Sequence, residues 1–283
     1  MENSTFTVLP MSQRFSLEAG ETYEGSISVV NPADATEDFL YKIEVLPYGV
    51  SDESYSADFT TTSGHSEIAK WITVAEPTGS IKPNETKKIE FTIEVPEDAP
   101  PGGQYAAIAV SSNAKMESSG GVAVNNVFEL ASLVYANVAG EITFGGEILS
   151  NDVPGFVVSP PITVGALLSN EGNTHEDATI IITASNFFTG EVILPTEENA
   201  GQYSEIIMPD STRYATREIS NLPALGIVKV SQAIYYRGDY SVVERNVMIC
   251  PIWFMVLVLL TIVSIIAAIV GIVKKHKRKK AVI

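Results

Sequence analysis

Strand alternation is clearest in residues 22–30, which read Thr-Tyr-Glu-Gly-Ser-Ile-Ser-Val-Val. One face of such a strand would carry Tyr23, Gly25, Ile27 and Val29, and the other would carry Thr22, Glu24, Ser26 and Ser28. The same two-residue period recurs in residues 87–95 and 41–45. One apolar and one polar face is typical of antiparallel sheets stacked in a sandwich. These segments therefore predict an all-β fold.

A second series of alternating segments follows along the chain. It includes residues 162–168, 180–184, 213–219, 226–236 and 240–247, with Gly, Pro and Asn turns between strands. Strands at spacings of roughly 8–12 residues favour Ig-like sandwiches. We predict two Ig-like β-sandwich domains, over residues 1–140 and 141–246, with the boundary near Gly140.

An uncharged run of 27 residues, 247–273, follows the last predicted strand. As a helix it would be about 40 Å long, against a hydrocarbon core of about 30 Å. A buried core helix is the alternative, but core helices seldom stay apolar on every face for this length. We predict a transmembrane helix over 247–273, with Pro251 in its first turn and Trp253 as an interfacial anchor.

The run ends in a basic tail, residues 274–283, which we expect in the cytoplasm. Its anchoring residues are Lys274, Lys275, Lys277, Arg278, Lys279 and Lys280. By the positive-inside tendency the preceding domains would be extracellular, held at the cell membrane by one span. That orientation requires a signal peptide, which we expect to have been removed. The rival is a tail-anchored protein with a cytosolic body.

Charge and cysteine content exclude other classes. The protein has 34 acidic and 18 basic residues, and six of the basic ones lie in the tail. A body this acidic repels phosphate backbones, so no nucleic-acid partner is expected. The single cysteine cannot form an internal disulfide or a thiolate zinc site.

Catalytic and metal signatures are weak. His175 lies in a polar segment, residues 171–177, that could offer oxygen ligands to Ca²⁺. It lacks the ligand alternation of a calcium loop, so a solvated hairpin turn is favoured. No nucleophile elbow, HExxH motif or phosphate-binding glycine loop occurs. We predict no enzyme activity, no catalytic residue, no cofactor and no metal.

One polar segment is a candidate binding loop. Residues 51–66 have little strand character, and Tyr48, Tyr55 and Phe59 bring aromatic rings to it. Loops on a rigid sandwich commonly carry binding sites. The alternative is that these rings cover the end of the sandwich. Trp71 is expected in the core.

Several motifs resemble one protein family. Residues 6–10 (Phe-Thr-Val-Leu-Pro), 20–22 (Gly-Glu-Thr) and 30–32 (Val-Asn-Pro) are followed by 101–108 (Pro-Gly-Gly-Gln-Tyr-Ala-Ala-Ile) and a closing strand over 131–141. Together they resemble the peptidoglycan-binding domain of WxL-interacting surface proteins of Gram-positive bacteria, over about residues 5–141. The resemblance implies an extracellular bacterial protein that holds a cell-wall polymer or a partner protein. It assigns no individual binding residue.

The leading hypothesis is therefore a non-enzymatic, membrane-anchored cell-surface protein that binds cell-wall polymer or a partner surface protein. A cell-wall glycan-acting enzyme is the second hypothesis, and a tail-anchored cytosolic Ig-like adaptor is the third. The enzyme hypothesis predicts titratable groups that converge in a cleft.

Overall fold

The computed structural model describes residues 6–51, 53–112 and 129–280. For residues 129 and 273–280 it describes the backbone. The elements, in chain order, are β1 (Thr7–Leu9), β2 (Ser12–Leu17), β3 (Thr22–Val30), β4 (Phe39–Pro47), β5 (Gly49–Ser51), β6 (Ser56–Asp58), a 3₁₀ helix (Gly64–Lys70), β7 (Ile72–Val74), β8 (Thr78–Ile81), β9 (Thr86–Glu94), β10 (Gly102–Ser112), β11 (Glu129–Val138), β12 (Ile148–Asp152), β13 (Phe156–Val157), β14 (Ile162–Asn170), β15 (Glu176–Asn186), β16 (Val192–Leu194), β17 (Gln202–Ile207), β18 (Ser211–Ile219), β19 (Gly226–Tyr236), β20 (Asp239–Ile249) and α1 (Ile252–Lys280).

The chain divides into two compact units. The first unit comprises Met1–Glu147, Leu168–Asp177 and Ile206–Tyr214. The second unit comprises Ile148–Leu167, Ala178–Glu205 and Ala215–Ile283.

The first unit is built on two sheets. One has the strand order β1-β3-β9-β7, and the other has the order β2-β11-β10-β4-β8. The chain changes sheets within its first strands, because β1 pairs with β3 whereas β2 runs parallel to β11. The inward residues of the alternating segments meet in one core that contains Ile27, Val29, Ile89, Phe91 and Ile93. The alternation predicted for residues 22–30 and 87–95 is confirmed.

The second unit uses the same pattern. Its strands belong to sheets ordered β12-β14-β18 and β13-β20-β19-β15-β16, with β17 also pairing with β15. Ile180 and Ile182 of β15 are buried, as are Val228 and Val230 of β19 and Val247 of β20. The fold class predicted from the sequence, Ig-like β-sandwiches followed by one C-terminal apolar helix, is confirmed.

The uncharged run of 27 residues is shared between two elements. Val247 and Ile249 are fully buried in β20, where they pair with β19, and α1 begins at Ile252. Residues Ile252–Ile272 are long and apolar enough to cross a membrane, and their side chains are not buried in the protein. The helix therefore starts five residues later than residue 247, because the sandwich uses the first apolar residues of the run.

The segment expected to be a loop, residues 51–66, contains more structure than its composition indicates. β5 and β6 form a short hairpin, and the 3₁₀ helix begins at Gly64. Ile68 of that helix is fully buried, and its carbonyl accepts a hydrogen bond from the Trp71 N–H at 2.9 Å. Trp71 lies in the core, as predicted. The sequence did not predict this helix, because Ile68 is the one large apolar residue among its seven residues and no helical period is visible.

Candidate functional site

The first unit has an open side along β3. β1 pairs only with Ser28, Val29 and Val30, after which the chain crosses to the other sheet as β2. Residues 22–27 of β3 pair with β9 on one side, and no other strand of the described residues pairs with their second side. Such a stretch presents backbone N–H and C=O groups that another extended chain can bind.

A groove of about 520 Å³ adjoins this stretch. Its lining consists of polar residues, Gln13, Glu24, Ser26, Thr73, Lys88, Glu90 and Thr92, and of apolar residues, Phe15, Gly25, Ala75 and Phe91. These residues come from β2, β3, β7 and β9, with Ala75 immediately after β7. The groove therefore combines hydrogen-bonding side chains with the partly exposed ring of Phe15, a composition that suits a polar ligand or an extended peptide.

The shape of the groove depends on Gly25. A Cβ atom at this position would overlap the ring of Phe91, which is buried. The Phe15 ring lies edge-on to Phe91, with ring centroids 6.2 Å apart. Sequence reasoning placed Gly25 on the apolar face but did not predict a groove there. A glycine inside a strand is a signal of close approach by another group, and it could have marked this site.

The charges of the groove are mixed. Lys88 Nζ lies 3.2 Å from Glu90 Oε1, and both side chains are exposed. Glu24 is exposed on the neighbouring strand. The groove thus carries two carboxylates and one ammonium group, so it offers anionic acceptors to hydroxyl and amide donors rather than a cationic cradle for phosphate.

The residues of the predicted binding loop lie in and around an aromatic cluster of the first unit. Tyr48 is buried and contacts Tyr135 edge-on, with centroids 6.0 Å apart. Tyr55 is half-buried, and its hydroxyl lies 2.5 Å from Ser211 Oγ and accepts the Met208 N–H. Phe59 remains more than a third exposed. Two of the three rings thus serve packing, which is the alternative given above for this segment, and Phe59 is the most exposed of the three although its ring centroid lies 6.0 Å from that of Tyr48.

The polar segment 171–177 is packed rather than solvated. Thr174 is buried, and its hydroxyl donates to Asn137 Oδ1. The expectation of a solvated hairpin turn is therefore wrong, because the segment forms hydrogen bonds with Asn137 and Tyr105, which are distant in sequence but in the same unit. Among the described residues, no three His, Cys, Asp or Glu side chains converge as metal ligands would.

His175 sits between two tyrosines. Its backbone N–H donates to the Tyr105 hydroxyl at 2.8 Å, and its Nδ1 lies 3.2 Å from the same oxygen. Its ring meets Tyr105 and Tyr135 edge-on. Burial lowers the pKa of His175, and the nearby Arg14 cation lowers it further. Burial also raises the pKa of the Tyr105 and Tyr135 hydroxyls.

Arg14 and Asp177 form a bidentate ion pair next to His175. The guanidinium donates to both carboxylate oxygens, at 2.8 and 3.0 Å. These hydrogen bonds lower the pKa of Asp177. The pair is partly exposed, so we regard it as an orienting contact rather than as catalytic machinery.

The predicted anchor residues lie along α1. Trp253 is in its first turn with a largely exposed side chain. The backbone of Lys274, Lys275, Lys277, Arg278, Lys279 and Lys280 continues the helix, and their side chains lie outside the described part.

Comparison with known proteins gives fold likenesses only. No family model and no curated protein matches the chain. Similar solved structures include the CsuC–CsuE chaperone–tip adhesin complex of Acinetobacter baumannii, at 14% identity over 86% of this chain and 99% of that chain, with a TM-score of 0.41. The Salmonella enterica SafA pilin–SafB chaperone complex matches at 10% identity over 88% and 98%, also with a TM-score of 0.41. The Pseudomonas aeruginosa CupB2 chaperone matches at 11% identity over 84% and 98%, with a TM-score of 0.37. At these values the likeness carries no inference about what this chain binds.

Proposed function

We propose that this protein is a non-enzymatic, membrane-anchored protein of the bacterial cell surface whose first unit binds cell-wall polymer in the groove beside β3. The observation that carries the proposal is the groove itself, which joins hydrogen-bonding side chains to an open strand edge. The resemblance of residues 5–141 to the peptidoglycan-binding domain of WxL-interacting surface proteins supports the same ligand class.

The net charge of the protein limits which class of wall polymer it can bind. Residues 1–249 carry all 34 acidic residues of the chain and only 12 basic ones. A strongly anionic protein repels phosphate-bearing wall polymers, particularly at low ionic strength. Hydroxyl and amide groups of peptidoglycan, in contrast, can donate to Glu24 and Glu90 and exchange hydrogen bonds with Gln13 and Ser26.

A partner surface protein is the second candidate, favoured by the unpaired stretch of β3. An extended segment of a partner could pair with residues 22–27 and place alternate side chains in the groove. This mode differs from polymer binding because it depends on backbone pairing as well as on the lining side chains.

The helix α1 supports the proposed membrane anchor. Its stretch Ile252–Ile272 matches the thickness of a hydrocarbon core, and six basic residues follow it. We propose that the tail is cytoplasmic and that both units are outside the cell, after removal of a signal peptide.

A pull-down of the full chain in detergent with isolated cell wall tests this function. Retention should be lost in Ser26→Arg, which fills the groove, and kept in Ser28→Arg, which is on the same strand and face but outside the lining. Retention by stripped surface proteins instead of wall would favour the second candidate. Release of soluble wall fragments would contradict a non-enzymatic role, and retention by neither material would overturn the proposal.

A further inference from the structure

Four segments of the second unit meet at one end of its larger sheet. In β19 and β20, Gly226 pairs with Ile249, so the loop 220–225 and residues 248–251 lie at this end. β13 runs parallel to β20 with Val157 beside Ile249, which brings residues 156–161 to the same place. The Phe187 N–H donates to the Ile227 carbonyl at 3.0 Å, which adds the turn 187–190. We name these four segments the apolar base.

The apolar base has an unusual composition for this protein. None of its 20 residues is charged, although charged residues make up 18% of the chain. Six large apolar side chains in it are exposed, each by at least two fifths: Phe156, Val158, Phe187, Phe188, Leu225 and Met248. Phe188 is 74% exposed and contacts only the edge of the neighbouring Phe187 ring among aromatic residues described. Clustered exposed apolar side chains indicate a surface that another apolar phase covers.

The chain itself indicates what covers it. β20 ends at Ile249, and α1 begins at Ile252, three residues later. Three residues span at most about 11 Å, so the apolar base must lie close to the first turn of the helix. If Ile252–Ile272 crosses the bilayer, the base lies within reach of the headgroup and upper acyl region. Phe and Leu side chains are favoured there.

The opposite end of the same hairpin differs in charge. β19 and β20 are joined there by Arg237-Gly238, next to Asp239. Tyr240 at this end is 73% exposed and stacks on Tyr235. An exposed aromatic ring thus occurs at both ends, but the turn at the far end contains Arg237, whereas the four segments beside α1 contain no charged residue and Glu191 only follows the turn 187–190.

We propose that the apolar base inserts into the outer surface of the lipid bilayer and seats the second unit on the membrane. Phe188 and Leu225 enter the lipid, in addition to the transmembrane helix. The inference rests on the membrane anchorage proposed above. Because the base has no charged group, insertion should not require anionic lipid.

The test places a single nitrobenzoxadiazole fluorophore on the full chain in phosphatidylcholine vesicles, with Cys250→Ser as the background. Phe188→Cys and Leu225→Cys are the test sites, and Tyr240→Cys is the control, whose exposure matches that of Phe188. Lipids with a nitroxide on the acyl chain serve as quenchers. The proposal predicts blue-shifted emission and strong quenching at positions 188 and 225, and water-like emission without quenching at position 240.

Anchorage is measured separately from native Trp253 in the unlabelled protein, since Trp71 is buried in the core of the first unit and remains unquenched. If Trp253 is quenched but position 188 or 225 behaves like position 240, the apolar base does not enter lipid and the inference is overturned, while the anchor stands. Equal quenching at all three labelled positions would also overturn it. If Trp253 is not quenched, the anchor fails and the inference fails with it.

Discussion

Gly102 and Gly103 show how two small residues organise the aromatic cluster. Gly102 has φ of 109°, a left-handed conformation that favours glycine, and a Cβ there would meet the Asn173 carbonyl. A Cβ at Gly103 would overlap the Tyr105 hydroxyl. That hydroxyl is the acceptor for the His175 N–H, so the paired glycines make room for the contact that fixes segment 171–177.

Gly103→Ala should therefore lower the free energy of unfolding by about 1–3 kcal/mol, because the buried Tyr105 ring must shift and lose its bond to His175. Urea unfolding followed by Trp71 fluorescence measures it. Gly64→Ala is the control, since a Cβ at Gly64 meets nothing within 4 Å, and its effect should stay within about 0.5 kcal/mol. Equal stabilities of the two variants would contradict the account of Tyr105.

His175 predicts a pH dependence of stability. Its pKa in the folded protein is below the ordinary value of 6.5, chiefly because of burial, with Arg14 lowering it and Asp177 raising it. The unfolded chain therefore takes up the proton first as pH falls. The free energy of unfolding should decrease from about pH 6.5 downward, by at most about 1.4 kcal/mol per pH unit, until the folded-state pKa is reached.

Replacement His175→Gln should remove this part of the slope while leaving the profile above pH 7 parallel to that of the native protein. Urea midpoints between pH 5 and 8 give the comparison. A variant whose profile stays parallel to that of the native protein below pH 6.5 as well would show that His175 is not the group responsible.

Sequence alone could not provide these residue contacts. Tyr105 and His175 are 70 residues apart, and no local pattern connects them. By composition alone, segment 171–177, which contains Glu, Asn, His and Asp, is expected to be exposed to solvent. The structure instead buries Thr174 of this run, because hydrogen bonds to distant residues satisfy its polar groups.

At the scale of elements, β3 and β9 form the floor of the groove. Their residues pair in register from Thr22↔Glu94 to Val30↔Thr86, and Gly25 faces Phe91. Because Gly25 has no side chain, the large ring of Phe91 fits against it and stays in the core. The edge of β3 beside this pair remains open.

We expect Gly25→Ala to destabilise the first unit by about 1–3 kcal/mol, since its methyl group would overlap the Phe91 ring in a closely packed core. Thermal or urea unfolding followed by Trp71 fluorescence is suitable. Ser28→Ala, on the same strand, serves as the control and should change stability much less. An unaltered midpoint in Gly25→Ala would mean that Phe91 can move freely and that the groove is not rigid.

The period of two in the sequence was sufficient to locate whole strands. The segments predicted at 22–30 and 226–236 coincide with β3 and β19. The boundary between strand and helix near residue 250 was harder to predict. Apolar residues serve both the sandwich core and the bilayer, and composition does not distinguish Val247 in β20 from Ile252 in α1.

The groove lay beyond sequence reasoning for a topological reason. β1 pairs with only three residues of β3, and the chain then crosses to the other sheet as β2. The rest of that edge of β3 is left open, and the groove lies beside it. Pro10 marks the end of β1 because it has no N–H to donate, but it does not specify which sheet β2 joins, and only Gly25 gave a local hint of the groove.

For the whole molecule, the proposed location in the membrane depends on α1. The double substitution Leu259→Arg with Leu260→Arg should shift the protein from the membrane fraction to the soluble or aggregated fraction, because each arginine costs about 2.5–3.5 kcal/mol at the centre of a span. Alkaline carbonate extraction followed by immunoblotting gives the fractions. Leu259→Ile with Leu260→Ile is the control and should remain in the membrane, and membrane retention of the arginine variant would argue against a span.

Sequence composition predicted a C-terminal apolar helix of membrane-span length, because residues 247–273 are uncharged and are followed by a cluster of cations. The surface that we propose to face the lipid could not be predicted from the sequence, because the segments of the apolar base are scattered between residues 156 and 251. Only strand register brings them together.

Digestion of intact cells with an external protease tests whether both units lie outside the membrane. If both units are outside, the protease should remove residues 1–246 without cell lysis and leave a small fragment with α1 and the tail. A body that stays intact until the cells are broken open would place it in the cytosol and contradict an extracellular binding protein.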